Sequence, residues 1–217
     1  MLLKPQDFLV ALKLVALGDE HWTYARLAHD LGLSASESHA AVQRGLTAGL
    51  LMDARIARAY AMPRRASVIV AREPGLNDKL ARDLPPTSRT NLDSAAIVNR
   101  HNLAEFTLHG AKYSFPPVRL PPGPGVPTSH AAPAFAGVFA QGSDALVWPD
   151  AGGSVRGEGL VPLHPCVPGA ALRDAALYEL LALFDALRAG RARERGMAVQ
   201  RLPLLIDPEA PRARHRG

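Results

Sequence analysis

The chain has 217 residues, with 25 lysines and arginines against 20 aspartates and glutamates and 47% apolar residues, a balance that belongs to a globular protein and not to a disordered one. Its net charge of +5 permits nucleic-acid binding, while no stretch reaches the ~20 uninterrupted apolar residues that a bilayer span needs. The lone Cys166 can close no disulfide within the chain, so the expected setting is cytoplasmic, without a membrane and without a cysteine-based metal site.

From Pro5, the residues Phe8, Leu9, Leu12, Val15 and Ala16 recur at helical spacing, and Gly18 suits a stop. This predicts an amphipathic first helix. Lys13 interrupts its apolar run and no small-residue cleavage pattern follows, so it does not read as a signal peptide. Thr23 is placed to cap a short second helix whose Leu27, Ala28 and Leu31 face inward and whose end is Gly32. Ser34-Ala35-Ser36-Glu37 then has the spacing of a capping box, and a third helix follows with Ala41, Val42, Gly45 and Leu46 towards a core. Small residues at Ala28, Gly32, Ala41 and Gly45 let the second and third helices cross closely, as a helix-turn-helix requires.

The third helix leaves Ser36, Glu37, His39, Ala40, Gln43 and Arg44 on its other faces. In a DNA major groove, Gln43 and Arg44 offer paired donors or acceptors, and Ser36 and His39 single contacts. The alternative for each is a solvated face. Glu37 either caps its own helix or accepts from a cytosine amine, the cap being favoured. Thr23 and Tyr24, at the start of the second helix, are candidate phosphate contacts, with packing the alternative for Tyr24, and Ser34 joins the same DNA-binding set. Residues 1–51 are themselves slightly acidic, so the cationic excess lies elsewhere, in Arg55, Arg58, Arg64, Arg65 and Arg72 and in a tail running from Arg188 to Arg216.

Trp22-Thr23-Tyr24, Leu31-Gly32-Leu33-Ser34-Ala35-Ser36-Glu37 and Ala48-Gly49-Leu50-Leu51 resemble bacterial winged helix-turn-helix regulators of the MarR-like kind, and most closely a group of small uncharacterised ones. Leu108-His109-Gly110, Phe115-Pro116, His130-Ala131-Ala132-Pro133, Val147-Trp148-Pro149-Asp150 and Leu172-Arg173-Asp174 extend the resemblance over most of the chain. It implies transcriptional regulation through double-stranded DNA, with a toxin-like protein as an optional partner, but no ligand or reaction for the C-terminal half. The stretch from Asp53 to Ala96 is longer than in those relatives and reads as an insertion or extended wing. Within it, Ser67 to Ala71 is strand-like, Arg64-Arg65 suits a basic wing tip, and Pro85-Pro86-Thr87-Ser88 suits a linker.

Asn99 suits the cap of a helix running to Gly110, and Lys112 to Phe115 alternates as a short strand. The proline-rich run from Pro116 to Pro127 reads as a loop or hinge. Ala145 to Trp148 and Ser154 to Arg156 flank Asp150-Ala151-Gly152-Gly153 as a hairpin. Asp174 caps a last strong helix ending near Gly190, whose Leu177, Leu180, Leu181, Phe184 and Leu187 face either the chain's own core or a second copy in a homodimer. Arg188 to Arg195 reads as a solvated helix end or a phosphate contact.

The expected fold class is therefore α+β, mainly α: a helix-turn-helix domain over residues 1–110 with the insertion at about 53–96, then a small-sheet region and C-terminal helix over 111–217. No catalytic residue, metal or cofactor is assigned. His130, His164 and Cys166 are the one grouping with zinc-like ligands, but their spacing fits no zinc motif. Gly123-Pro124-Gly125 lacks the ending of a phosphate loop, and Ser143-Asp144 forms no nucleophile elbow. The function expected is that of a dimeric repressor or autoregulator. The rival is a protein-interaction module, such as an antitoxin-like subunit that uses the helix-turn-helix for docking.

Overall fold

Proline at a first helical position presets φ and gives up an amide that has no partner there, and Pro5 opens helix α1, Pro5–Leu17, in this way. In the computed structural model, which describes residues 3–55, 96–138 and 145–209, Asp7 completes that helix start by accepting from the Lys4 amide at 2.9 Å. The helix is not the one-sided element its spacing suggests. Every residue from Asp7 to Val15 is buried, Lys13 included, because α1 runs between other helices on both sides.

Helices α2 (Tyr24–Leu31) and α3 (Ala35–Thr47) follow, with both bounds of α2 and the start of α3 where expected. Strand β1, Leu51–Asp53, leaves α3 and pairs antiparallel with β2, Ala96–Val98, in the register Leu51 to Val98 and Asp53 to Ala96. The expected features between them, the Arg64-Arg65 tip, the strand Ser67 to Ala71 and the linker Pro85 to Ser88, lie outside the described residues, as does Ser143-Asp144.

Asn99 caps helix α4, Arg100–Glu105, by accepting from the Asn102 amide. The helical path does not stop at Gly110. It passes through one π-helical turn, Phe106–Gly110, into α5, Ala111–Ser114, so the strand expected at Lys112 to Phe115 is absent. Four alternating residues are too few to decide between strand and helix. A domain boundary after Gly110 would also cut this continuous helical run.

The largest departure is the run expected to be a loop or hinge. Arg119–Thr128 is strand β3, with Pro121, Pro122, Pro124 and Pro127 inside it. It pairs antiparallel with β5 (Val155–Leu160) along its first part and with β4 (Leu146–Pro149) along its last, so Gly125 stands opposite both Pro149 and Val155. A register shift between Leu120 and Gly123 absorbs Pro121 and Pro122, the bulge being a place where a missing amide costs no ladder bond. Gly125 is required there, since a Cβ would lie 2.2 Å from the Trp148 carbonyl oxygen.

Asp150 to Gly153 does turn the chain, with Gly152 N–H donating to Asp150 Oδ1 at 2.8 Å. The strands it joins are nevertheless parallel, closing a three-stranded barrel instead of the expected hairpin. β4 and β5 lie one after the other along β3 on opposite sides of it, so the turn shifts the chain sideways without reversing it.

Helices α6 (Val167–Arg173), α7 (Ala175–Ala189) and α8 (Ala192–Ile206) complete the order. Asp174 caps α7 as expected, accepting from the Leu177 amide at 3.0 Å. Helix α8 was not expected. It restarts after Gly190 with Glu194 accepting from the Arg191 amide, and it tolerates Pro203 near its end. The molecule is α+β and mainly helical.

One core joins both halves of the chain. Phe8 of α1 meets Phe106, Phe115 and Phe184 with ring centroids 5.5, 5.9 and 5.0 Å away. A fully buried phenylalanine contributes about 1.5–3 kcal/mol through apolar burial, so this cluster is a principal tie between the N-terminal helices and α7. The stripe Leu177, Leu180, Leu181, Phe184 and Leu187 is buried within the chain itself and presents nothing to a second copy.

Arg188, expected near the surface, is buried too. It donates to Asp185 Oδ1 at 2.7 Å and to the Val161 carbonyl at 2.8 Å, while Asp185 Oδ2 accepts from Trp148 Nε1 at 2.6 Å and Thr128 Oγ1 at 2.8 Å. This network pins β3 and β4 to α7.

Candidate nucleic-acid interface

The turn between α2 and α3 is built by local hydrogen bonding. Thr23 Oγ1 accepts from the Arg26 amide at 3.1 Å and so starts α2. Gly32, at φ +69°, takes the left-handed position that ends it, and the Leu33 amide donates back to Ala28 O at 2.9 Å. Ser34 Oγ accepts from the Glu37 amide at 3.1 Å, and Glu37 Oε2 accepts from the Ser34 amide at 2.9 Å. The capping box is therefore present as read. Those hydrogen bonds from Ser34 hold the Glu37 carboxyl below its ordinary range, which commits Glu37 to the cap.

On α3, Ser38, Ala41, Val42 and Gly45 are buried, while Ser36, His39 and Gln43 are exposed on one strip with Thr47. The Thr47 hydroxyl donates to the Gln43 carbonyl at 2.9 Å. His39 lies 5.0 Å, centroid to centroid, from the Tyr24 ring, and Tyr24 in turn lies 5.6 Å from Trp22. This aromatic row, absent from the sequence reading, couples the start of α2 to the exposed strip. The packing alternative for Tyr24 thus has a definite content.

Arg44 does not belong to the strip. Its Nε and Nη2 fork onto both oxygens of the fully buried Asp7, at 2.9 and 3.0 Å from Nε and 2.6 Å from Nη2. The bond to Asp7 raises the guanidinium's pKa, and the side chain is 13% exposed. Arg44 fastens α3 to the first turn of α1, and a base cannot have the same donors. The available signal is an aspartate beside the apolar run that starts at Phe8, where a buried carboxylate needs a cationic partner.

Two of the small residues serve contacts other than the expected crossing. A Cβ at Gly45 would lie 2.9 Å from Leu51 Cδ1, so this glycine admits β1, while Gly32 faces Arg173 and Cys166.

Charge is neutralised pairwise around this unit. Arg26 pairs with Glu20, Arg55 with Asp53, and Lys13 with both Asp30 and Asp174. Of the candidate residues, the fold brings Thr23, Tyr24, Ser34, Ser36, His39 and Gln43 together on the helix-turn-helix and diverts Arg44 inward. Arg64 and Arg65 lie outside the described residues.

The zinc-like grouping is not assembled. His164 Nδ1 is 3.0 Å from Cys166 Sγ, but His130 lies against Glu194, and among the described residues no group of three or more His, Cys, Asp and Glu could hold a metal ion. Burial pushes the Cys166 thiol up to about 11. The barrel carries an open groove of about 350 Å³ lined by Pro121, Gly123, Pro124, Val147 and Pro149, with Asp150 as its one titratable side chain. No described helix is long and apolar enough to cross a membrane. Comparisons of the chain with protein-family models, with curated proteins and with solved structures find no match.

Proposed function

We propose that this chain is a sequence-specific DNA-binding transcriptional regulator, a cytoplasmic repressor or autoregulator of the winged, MarR-like kind that acts as a homodimer on double-stranded DNA. The observation that carries the reading is the exposed strip Ser36, His39 and Gln43 on a capped α3. A tight glycine turn joins that helix to α2, and an antiparallel ribbon follows it directly. In this reading α3 enters the major groove, with Gln43 making the paired contact and Ser36 and His39 single ones. Thr23 and Tyr24 lie against phosphates, and Arg64 and Arg65 supply further cationic contacts. No catalytic step and no cofactor enters it.

One observation favours a second reading. The exposed Arg26 and Arg55 are both paired with carboxylates, which suits a face that docks on a protein, as an antitoxin-like subunit on its toxin would.

A fluorescence-anisotropy titration against the gene's own upstream DNA and a scrambled duplex, at two salt concentrations, separates the two. The regulator reading expects tighter binding to the upstream DNA that persists at higher salt. Gln43→Ala should then lose about tenfold in preference, the worth of one good bidentate base contact, with unchanged melting. Equal or absent binding to both duplexes would shift the assignment to protein docking.

A further inference from the structure

Asp30, in the last turn of α2, is tied to two consecutive residues of the C-terminal half, directly to Arg173 and through Lys13 to Asp174. Arg173 Nη2 and Nε donate to its backbone carbonyl at 3.0 and 3.3 Å. Its carboxylate is 2.9 Å from Lys13 Nζ, which is itself 2.8 Å from the carboxylate of Asp174. Lys13 comes from α1 and is 4% exposed, so three separate segments meet on one buried ammonium. The other Asp174 oxygen caps α7.

These contacts bear on the turn itself. The last carbonyls of a helix have no partner within it, and here those of Ala28 and His29 are met by the Leu33 and Gly32 amides while that of Asp30 is met by Arg173. A Cβ on Gly32 would lie 3.7 Å from Arg173 Nη2 and 3.8 Å from Cys166 Cβ, so the turn rests on α6 and the residue before it. Unlike the aromatic core, this junction is polar and reachable from solvent. A crevice of about 450 Å³ opens over it, lined by Lys13, Glu20, Arg26, Asp30, Arg173 and Asp174. The Arg173 bonds to the Asp30 carbonyl are exposed, and polar contacts with access to water open at lower cost than a packed core does, so the junction is able to part from this side while the molecule stays folded.

We propose that Arg173 and Asp174 form a latch that fixes the α2–α3 turn to the C-terminal half, so that opening the crevice loosens the turn and weakens DNA reading. Only the last clause rests on the regulator reading.

The test uses the full chain carrying Arg173→Gln and Asp174→Asn together, the asparagine keeping a side-chain oxygen for the α7 cap. Amide hydrogen exchange is followed by mass spectrometry over residues 27–37, with 180–187, beyond the amide that Asp174 caps, as the internal reference. Loss of a charge-assisted bond to a helix end should speed exchange over 27–37 by about tenfold and leave the reference unchanged. Arg173→Gln alone, with the Lys13 bridge intact, should give a smaller rise in the same stretch. Unchanged exchange over 27–37 overturns the latch, and so does an equal rise in both stretches, which would make the pair a mere support of the core. Preference for upstream over scrambled DNA should fall in step with the exchange. A loosened turn with undiminished preference refutes the coupling, whereas a wild-type chain with no preference at all refutes the DNA reading and leaves the exchange result to decide the latch.

Discussion

Replacing Arg44 by methionine would leave the Asp7 carboxylate at 0% exposure with the Lys4 amide as its remaining donor among the described residues, because both oxygens now take their other hydrogen bonds from the Arg44 fork. Breaking a buried pair from one side typically costs about 3–5 kcal/mol, since the surviving charge stays where water cannot reach it. A domain of ordinary stability has roughly 5–15 kcal/mol in all, so the loss is a large share. At about 2–4 °C per kcal/mol for a chain of this size, the melting temperature should fall by roughly 6–20 °C. Asp7→Asn with Arg44→Met removes both charges while leaving an oxygen for the Lys4 amide, and should recover most of the loss. Thermal unfolding followed by far-UV circular dichroism reads all three variants, with the anisotropy titration run alongside. An Arg44→Met protein that melts with wild type and loses only its preference among DNA sequences would refute this reasoning and return Arg44 to the groove-reading strip.

Asp185→Leu should destabilise by a comparable ~3–5 kcal/mol, because it strands the Arg188 guanidinium and the Trp148 indole N–H inside the core, and a changed Trp148 emission would mark the site. Burial raises the carboxyls of Asp30 and Asp174, but the Lys13 hydrogen bond, the Lys13 charge and the other donors around each carboxyl together outweigh it, and both sit below the ordinary value of 3.8. Groups depressed by folding stabilise it above their unfolded pKa, so this contribution should hold at neutral pH and disappear as pH drops below about 4, and melting of Lys13→Met should show a weaker acid dependence. With its thiol pushed up to about 11, Cys166 should react with iodoacetamide at pH 8 far more slowly in the native protein than in urea. Equal rates in the two states would contradict that.

What could be read in the sequence was whatever is fixed within a few residues. Thr23, Gly32, the Ser34–Glu37 box and Asp174 each act through bonds that close locally, and each stands where its motif put it. What failed depends on partners distant along the chain. Proline content argued against a helix and left Pro116 to Pro127 as a loop or hinge, but the bulge that admits the run to a sheet exists only once β5 lies alongside. The fate of Arg44 was set by Asp7, 37 residues earlier, and that of Arg188 by carbonyls at Phe115 and Val161. Periodicity identified α1 and α7 as helices but not as helices covered on all sides, because apolar spacing records only that one face must be buried.

The same pairing bears on where any DNA affinity must arise. An arginine that already faces a carboxylate has to give that bond up before it can meet a phosphate, so Arg26, Arg44 and Arg55 are poor sources of counterion release. Residues 56–95 carry Arg58, Arg64, Arg65, Arg72, Lys79, Arg82 and Arg89 against Glu73, Asp78, Asp83 and Asp93, an excess that the helix-turn-helix itself lacks. Each phosphate neutralised contributes about −0.9 to the slope of log affinity against log salt. Arg64→Gln with Arg65→Gln should therefore flatten that slope by roughly two and weaken operator and scrambled duplex alike, whereas Gln43→Ala should leave the slope where it was. If the double arginine variant keeps the wild-type slope, the basic run does not touch DNA. The carboxylate-paired face of the helix-turn-helix would then be better explained by a protein partner.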